Sequence, residues 1–372
     1  MKLCFLGWAD HIHLERWAGY FAQLGHEVSV ISVSGPGRYP GGVRQYPLGL
    51  EERGLRWKSL KLRYLLARIR PDVVHAHWAH FSYLAARASA RPLMVTAWGS
   101  DIYRLGEQNG AIVRQLHHGL QAARLITCDS LDMLERLSRI PGVVKEKVHV
   151  IQWGVDATLF RPEAADPLLA AELDVAGRPV ILSARQIFPV YNQETVVAAF
   201  AQVRQQIPDA VLVLKHPSGD TEYVRNLQRR IDDAGLRPSV RIVGMLPYER
   251  MPCLYRLAHV TVSVPFSDGT PMSVLEAMAC GSAPVVSDLP SLREWIQDGW
   301  NGNLVPPDDS VALAAHIVRL LKDPMLRSVY ANRNLEIVRL RATQQANMAA
   351  MDELYREIHR RPASRFARGA AA

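Results

Sequence analysis

The sequence predicts two α/β domains, each built on a doubly wound parallel sheet, and three observations carry that prediction. The chain has 372 residues, whereas single hydrophobic cores stop growing beyond about 250–300 residues. Short apolar runs rich in β-branched residues recur along it, separated by segments in which apolar residues follow a helical period. The rhythm breaks near residues 154–167, GVDATLFRPEAADP, where two prolines and a run of small residues follow.

In the first half the strand-like runs are KLCFL, EVSVIS, DVVHA, LMVTA, LITC and VHVIQ. In the second half they are PVILSA, AVLVLK, VRIVG, VTVSV and APVVS. Helical spacing marks HLERWAGYFAQL, stopped by Gly25, and NQETVVAAFAQVRQQ, stopped at Ile207-Pro208. Strands that are apolar throughout and separated by helices indicate parallel sheets covered on both faces. Eleven such runs exceed one doubly wound sheet. The expected division is a first domain at 1–160 and a second at 161–345. A helix at 346–361 is expected to cross back to the first domain, and 362–372 is read as a disordered basic tail.

Composition excludes several classes. With 48% hydrophobic and 22% charged residues, the chain is neither disordered nor fibrous. Cys4, Cys128, Cys253 and Cys280 form no C-x-x-C pair, which argues against a zinc site or a disulfide frame. The N-terminus lacks a signal-peptide pattern and no run is long enough to span a bilayer, so a cytoplasmic protein is expected. The net charge of +8 attracts anions, but no nucleic-acid-binding pattern is present.

The chemistry concentrates in residues 265–296, PFSDGTPMSVLEAMACGSAPVVSDLPSLREWI. The segment starts at the carboxyl end of VTVSV, where open α/β sheets bind ligands. Thr270 suits an N-cap, Pro271 the first helical position, and Gly281 the stop. Free N–H groups and a partial positive charge at such a helix start suit a diphosphate, and Gly269 allows close backbone approach. Glu276 sits among apolar neighbours, where a carboxylate needs donors or a cation. It reads either as the partner of a nearby arginine or as the acceptor for two ribose hydroxyls. Asp268, eight residues earlier, reads as a loop carboxylate or as the group that faces a sugar.

The stretch SDGTPMSVLEAMACG resembles the acidic-x7-Glu motif of retaining GT-B glycosyltransferases of family 4. The likeness continues through PVVSDLPSLREWIQDGWNGNLVPPDD, upstream to RIVGMLPYERMPCLYRLAHV and GVDATLF, and into HLERWAGYFAQLGHEVSVIS and DVVHAHW. It implies two Rossmann-like domains facing a central cleft. It further implies transfer of a sugar from a nucleoside-diphosphate donor, UDP- or GDP-linked, to a glycan, lipid-linked or small-molecule hydroxyl. By position, Asp268 would bond the sugar's hydroxyls and Glu276 the ribose, and the backbone of Gly269, Thr270, Pro271, Met272 and Ser273 would meet the phosphates. Arg185 matches the family's diphosphate-binding arginine. Relatives carry a lysine soon after it, where this chain reads Tyr191-Asn192; Lys215 is the candidate second cation, or else a solvated strand end. Leu246 falls where relatives contact the base through backbone atoms.

For the acceptor, LMVTAWGSDIYR resembles a family segment that reads T-x-H-G-x-D, with Trp98 at the histidine position. Asp101 remains there as the group to hold or deprotonate an acceptor hydroxyl, or as a helix cap. Strand period puts His75 and His77 on one face; with no acidic or cysteine partner nearby they read as pocket lining, not metal ligands. His13 is expected on the same acceptor side. No D-x-D metal motif stands in a suitable loop, so neither metal nor organic cofactor is expected. A dinucleotide-dependent dehydrogenase would need G-x-G-x-x-G after the first strand, and LGWADH stands there. A catalytically silent sugar-nucleotide-binding or scaffold subunit of a polysaccharide-assembly system remains the alternative. Residues 53–70, RGLRWKSLKLRYLLARIR, interleave cations with Leu, Trp and Tyr. They read as a solvated helix face or as a peripheral contact with anionic membrane.

Overall fold

The computed structural model describes residues 1–39, 41–49, 55–215 and 219–360. The chain separates into two compact units: Met1–Trp153 together with the chain from Asn347 onward, and Gly154–Ala346. The first unit holds β1 (Lys2–Gly7), β2 (Glu27–Ser32), β3 (Arg44–Pro47), β4 (Val73–His77), β5 (Leu93–Thr96), β6 (Leu125–Cys128) and β7 (Val148–Val150). Its helices are α1 (Ile12–Gln23), α2 (Leu55–Ile69), α3 (Ser82–Ala88), α4 (Ser100–Tyr103), α5 (Gly110–Ala122) and α6 (Leu131–Ser138). The second unit holds β8 (Val180–Ser183), β9 (Val211–Lys215), β10 (Val240–Val243), β11 (Val260–Ser263), β12 (Ala283–Ser287) and β13 (Asn303–Val305). Helices α7 (Pro167–Glu172), α8 (Gln193–Gln206), α9 (Thr221–Asp233), α10 (Met251–Leu257), α11 (Met272–Ala279), α12 (Pro290–Arg293), α13 (Ser310–Lys322) and α14 (Pro324–Arg341) surround that sheet, and α15 (Gln344–Arg360) ends the described chain.

Both sheets are parallel, with orders β3-β2-β1-β4-β5-β6-β7 and β10-β9-β8-β11-β12-β13. Each order reverses once, between β1 and β4 and between β8 and β11, and ligands of doubly wound sheets bind at such reversals. The eleven runs read from the sequence all become strands; the structure adds β3 and β13. Sequence RQYP escapes notice because β3 is an edge strand and largely exposed. Three-residue β13 is too short to show a period. Helix α1 ends at Leu24, with Gly25 at φ 89° and bonds from Gly25 N to Ala22 O and from His26 N to Phe21 O. Only glycine takes that left-handed turn cheaply.

The division between the units falls after Trp153, seven residues earlier than the expected 160. The reason lies in what GVDATLF bonds to. Val155 N donates to Ala342 O at 2.7 Å, Val155 O accepts from Gln344 N at 2.8 Å, and Arg256 donates to Leu159 O and Arg161 O. The far part of α15 belongs with the first unit: Trp17 Nε1 donates to Tyr355 Oη at 3.0 Å, and His26 pairs with Asp352 at 2.9 Å. The expected tail, 362–372, lies outside the described residues. Among those described, no helix is long and apolar enough to cross a membrane.

Candidate active site

In the second unit the strand reversal places the chain after β8 beside the chain after β11, and there the sequence puts Arg185 and Asp268. Arg185 Nη2 lies 2.8 Å from Asp268 Oδ2, with only 11% and 16% of the two side chains exposed. The guanidinium also donates to Ser273 Oγ at 3.2 Å and lies 4.1 Å from the centre of the Tyr191 ring. Burial disfavours its charge, but the Asp268 carboxylate together with Tyr191 and Tyr255 more than offsets this and holds the arginine pKa above its usual value. Burial pushes the Asp268 carboxyl up; Arg185 and the Gly269 N–H, 3.1 Å from Oδ1, pull the other way. Ser291 Oγ donates to Asp268 O at 2.7 Å and fixes the loop.

The helix that follows starts one residue later than expected. Pro271, extended at ψ 105°, is the N-cap, and no side chain caps the first turn. Thr270 therefore does not cap; its hydroxyl accepts from Trp295 Nε1 at 3.2 Å. At the far end Gly281, at φ 85°, closes α11 with Gly281 N to Met278 O and Ser282 N to Ala277 O. Glu276 is buried on α11. Tyr255 Oη donates to Oε2 at 2.9 Å, and Lys215 at the end of β9 lies close enough to feel the carboxylate charge. Burial lowers the lysine pKa and Glu276 opposes it. Burial, then Glu276, raises the Tyr255 pKa far above the usual value, so its hydroxyl stays a donor. Leu246 is half-buried in the loop after β10.

Two family models match: Glycosyl transferases group 1 over residues 169–336, and Glycosyl transferase 4-like over residues 2–130. A phosphatidyl-myo-inositol mannosyltransferase of Mycolicibacterium smegmatis is 27% identical over 342 residues, covering 88% of this chain and 84% of its own. Among solved structures, sucrose-phosphate synthase of Thermosynechococcus elongatus superposes with a TM-score of 0.83 at 20% identity, covering 96% of this chain and 99% of its own. HepE of Anabaena, solved with UDP-glucose, gives 0.82 at 20% identity, covering 96% and 100%. The chain is a group 1, family 4-like glycosyltransferase of the GT-B fold.

In the first unit of this glycosyltransferase the expected acceptor-side residues come together at the carboxyl ends of β1, β4 and β5. His13 stacks on Trp153 with ring centroids 4.5 Å apart, and Trp98 stands edge-on to the same indole at 5.1 Å. His77 lies 6.0 Å from Trp153 and 6.2 Å from Trp98. Its ring is fully buried, and its two nitrogens have no hydrogen-bond partner among the described residues. Burial drives the His77 pKa well below 6.5, so the ring is neutral. Trp8 and Trp78, 4.1 Å apart, extend the aromatic floor, and Trp78 takes φ 78°, a conformation rare outside glycine.

Two readings need correction. Asp101 is fully buried, with Oδ2 accepting from Ala79 N at 2.7 Å and Oδ1 from Trp98 N at 3.0 Å and Gly99 N at 2.9 Å. A carboxylate so occupied ties the loops after β4 and β5 together; it is neither the cap, which is Gly99, nor placed to take an acceptor's proton. His75 does not line a pocket: Nδ1 meets Tyr355 Oη at 2.5 Å and Nε2 meets Thr96 Oγ1 at 2.7 Å, inside the core. No three His, Cys, Asp or Glu side chains converge as a metal cluster among the described residues. Sequence reasoning missed Tyr191, Tyr255 and Trp153. Tyr255 sits on the buried face of α10, where a tyrosine needs a partner for its hydroxyl, and that was the available signal. Tyr191 ends a three-residue 3-10 turn and Trp153 lies in irregular chain, and neither has a period to place it.

Proposed function

We propose that the protein transfers a glycosyl group, with retention and without a divalent metal, from a UDP- or GDP-linked sugar to a hydroxyl acceptor. The observation that carries this reading is the buried Arg185–Asp268 pair beside the uncapped start of α11. An arginine buried this deeply, at a strand reversal and next to free helix N–H groups, suits a diphosphate. HepE, solved with UDP-glucose, and the mycolicibacterial mannosyltransferase support a nucleotide-sugar donor.

On this reading Glu276, oriented by Tyr255, accepts from the ribose hydroxyls, and Asp268 accepts from hydroxyls of the sugar. The anomeric carbon–oxygen bond breaks and its electron pair leaves with the nucleoside diphosphate. Arg185 and the N–H groups of Met272 and Ser273 stabilise the charge that develops there. The acceptor oxygen bonds the anomeric carbon from the face the diphosphate leaves, and its proton passes to a diphosphate oxygen. Because Asp101 is fully engaged with backbone N–H groups, the leaving group serves as base. The aromatic floor of Trp98, Trp153, His13 and His77 suits the apolar face of a sugar ring, as in a glycan or lipid-linked acceptor.

The test is calorimetric binding of UDP-, GDP- and ADP-sugars to wild type and Glu276→Ala, followed by turnover with an acceptor mixture. One donor bound tightly and lost on substitution supports the assignment. Binding without turnover by any acceptor would favour the silent-subunit alternative. Turnover giving the inverted anomer would remove the retaining step.

A further inference from the structure

Four of the chain's eight tryptophans leave the first sheet at its carboxyl edge: Trp8 after β1, Trp78 after β4, Trp98 after β5 and Trp153 after β7. That edge is where open α/β sheets bind ligands. Strands β1 and β4 flank the reversal of the sheet order, and their pairing of Leu6 with Ala76 brings Trp8 out beside Trp78. The two rings lie 4.1 Å apart, and His80 stands 4.4 Å from Trp78. Trp8 also stands against Trp98, at 6.0 Å and with the ring planes 70° apart. Trp8, Trp78, Trp98 and His80 are all half-buried, so part of each stays accessible.

Trp78 takes φ 78° and ψ 120°, a backbone conformation that crowds a side chain and persists only where its surroundings over-determine it. Here they do. Trp78 N donates to Thr96 O at 2.9 Å, Trp78 O accepts from Phe81 N at 3.0 Å, and Ala79 N donates to Asp101 Oδ2 at 2.7 Å. Buried polar atoms are also left over around these rings. Trp98 Nε1, His80 Nδ1 and both nitrogens of His77 have no hydrogen-bond partner among the described residues. Strained backbone and unpaired buried nitrogens both gather at ligand sites, and such nitrogens call for a hydroxyl or a water.

Geometry selects the occupant. A rigid flat ring system cannot lie on Trp8 and Trp98 together, because their planes turn through 70°. An acyl or isoprenoid chain would leave the ring nitrogens unpaired. Sugar rings joined by a glycosidic bond turn from one plane to the next, and each presents an apolar C–H face with hydroxyls at its rim. We propose that the first unit has two sugar positions, one against Trp98 and His13 and the other against Trp8 and Trp78, so that the acceptor is at least a disaccharide. Trp78 is then a specificity-determining residue that selects for acceptor length and takes no part in the transfer. The inference rests on the proposed transferase reading and narrows its acceptor from any hydroxyl compound to a glycan of two or more rings.

The experiment titrates the full chain, without donor, with mono-, di- and trisaccharides of α-mannose, α-glucose and β-glucose. Binding is read by calorimetry and by quenching of tryptophan fluorescence. In at least one series the disaccharide should bind about tenfold more tightly than the monosaccharide, the gain from covering roughly 55 Å² of apolar ring face. Trp78→Leu and Trp8→Leu, with folding checked by thermal melting, should each erase most of that gain while changing the monosaccharide Kd less than about twofold. No binding in any series overturns the proposal, and so does an equal Kd for mono- and disaccharide in all of them. A variant that weakens both ligands alike overturns it too. Because no donor is present, the two readings fail separately. A length gain with no turnover from any donor keeps the two positions and removes the transferase. Turnover onto a monosaccharide with no length gain keeps the transferase and removes the second position.

Discussion

Asp268→Asn separates the stabilising role of the Arg185–Asp268 pair from its role toward ligand. The substitution keeps the side chain's shape and removes its charge, leaving Arg185 nearly buried with Ser273 Oγ and the Tyr191 ring as its remaining partners. Breaking a buried pair on one side costs about 3–5 kcal/mol. The two side chains keep 11% and 16% exposure, and the ring contact survives, which itself contributes about 0.5–2 kcal/mol. A loss of about 2–3 kcal/mol is therefore expected in urea denaturation of the ligand-free protein. A nucleoside diphosphate should reverse it. At a hundred times its Kd a ligand adds about 2.7 kcal/mol, and in the variant the guanidinium no longer has to leave a carboxylate to meet the phosphates. UDP or GDP should thus bind Asp268→Asn at least as tightly as wild type, while turnover of the intact donor falls by orders of magnitude. A variant as stable as wild type, or one that loses the diphosphate together with turnover, would refute the idea that Asp268 and diphosphate share Arg185.

Other expectations follow from the same geometry. Tyr255→Phe leaves Glu276 short of a buried donor, and nucleotide binding measured by calorimetry should weaken about tenfold or more, since hydrogen bonds to charged groups contribute about 1.5–3 kcal/mol. Tyr191→Leu should lower kcat more than it raises KM if the ring aims Arg185, whereas Tyr191→Phe should restore wild-type rates. Turnover should survive excess chelator; its abolition, with recovery on adding a divalent ion, would contradict a metal-free transfer. Acid should destabilise the first unit early. Burial holds His75 at about 3 and His11 at about 4, both below the 6.5 of an unfolded histidine. Their stabilisation is complete above pH 6.5 and is lost as pH falls toward the folded values, at about 1.4 kcal/mol per pH unit for each ring. Urea midpoints that stay level from pH 7.5 to pH 5 would contradict this.

The second unit was largely legible in the sequence because its information is local. Five-residue runs such as VLVLK are buried over nearly their whole length and so carry their own signature, and SDGTPMSVLEAMACG packs a loop, a helix start and a helix stop into one stretch. What stayed hidden depends on tertiary pairing. Tyr255 reaches Glu276 across 21 residues of sequence, Arg185 reaches Asp268 across 83, and neither distance leaves a periodic trace. The one-residue error at Thr270 has a local cause. Pro271 meets the rules for a first helical residue, but its extended ψ of 105° makes it the cap, and the threonine hydroxyl goes to Trp295 instead.

The first unit shows why motif residues do not transfer one at a time. In LMVTAWGSDIYR the aspartate stands where the family resemblance expects one, yet its oxygens serve Ala79, Trp98 and Gly99 N–H groups. Such a set of backbone donors fixes the conformation of a tight loop around Trp98, at the position where the resemblance expects a histidine. Trp98 then stands against His11 and Trp153 at 4.6 and 5.1 Å, so the substitution puts an indole face where an imidazole would offer a proton. On the proposed reading, Trp98 offers the acceptor a stacking surface and no proton, so this domain positions the acceptor and leaves the proton transfer to the donor's diphosphate. Trp98→His should therefore weaken acceptor binding, raising the acceptor KM while leaving donor Kd unchanged. If it instead raised kcat at constant KM, the missing imidazole would be the limiting catalytic group and the stacking role of Trp98 would be wrong.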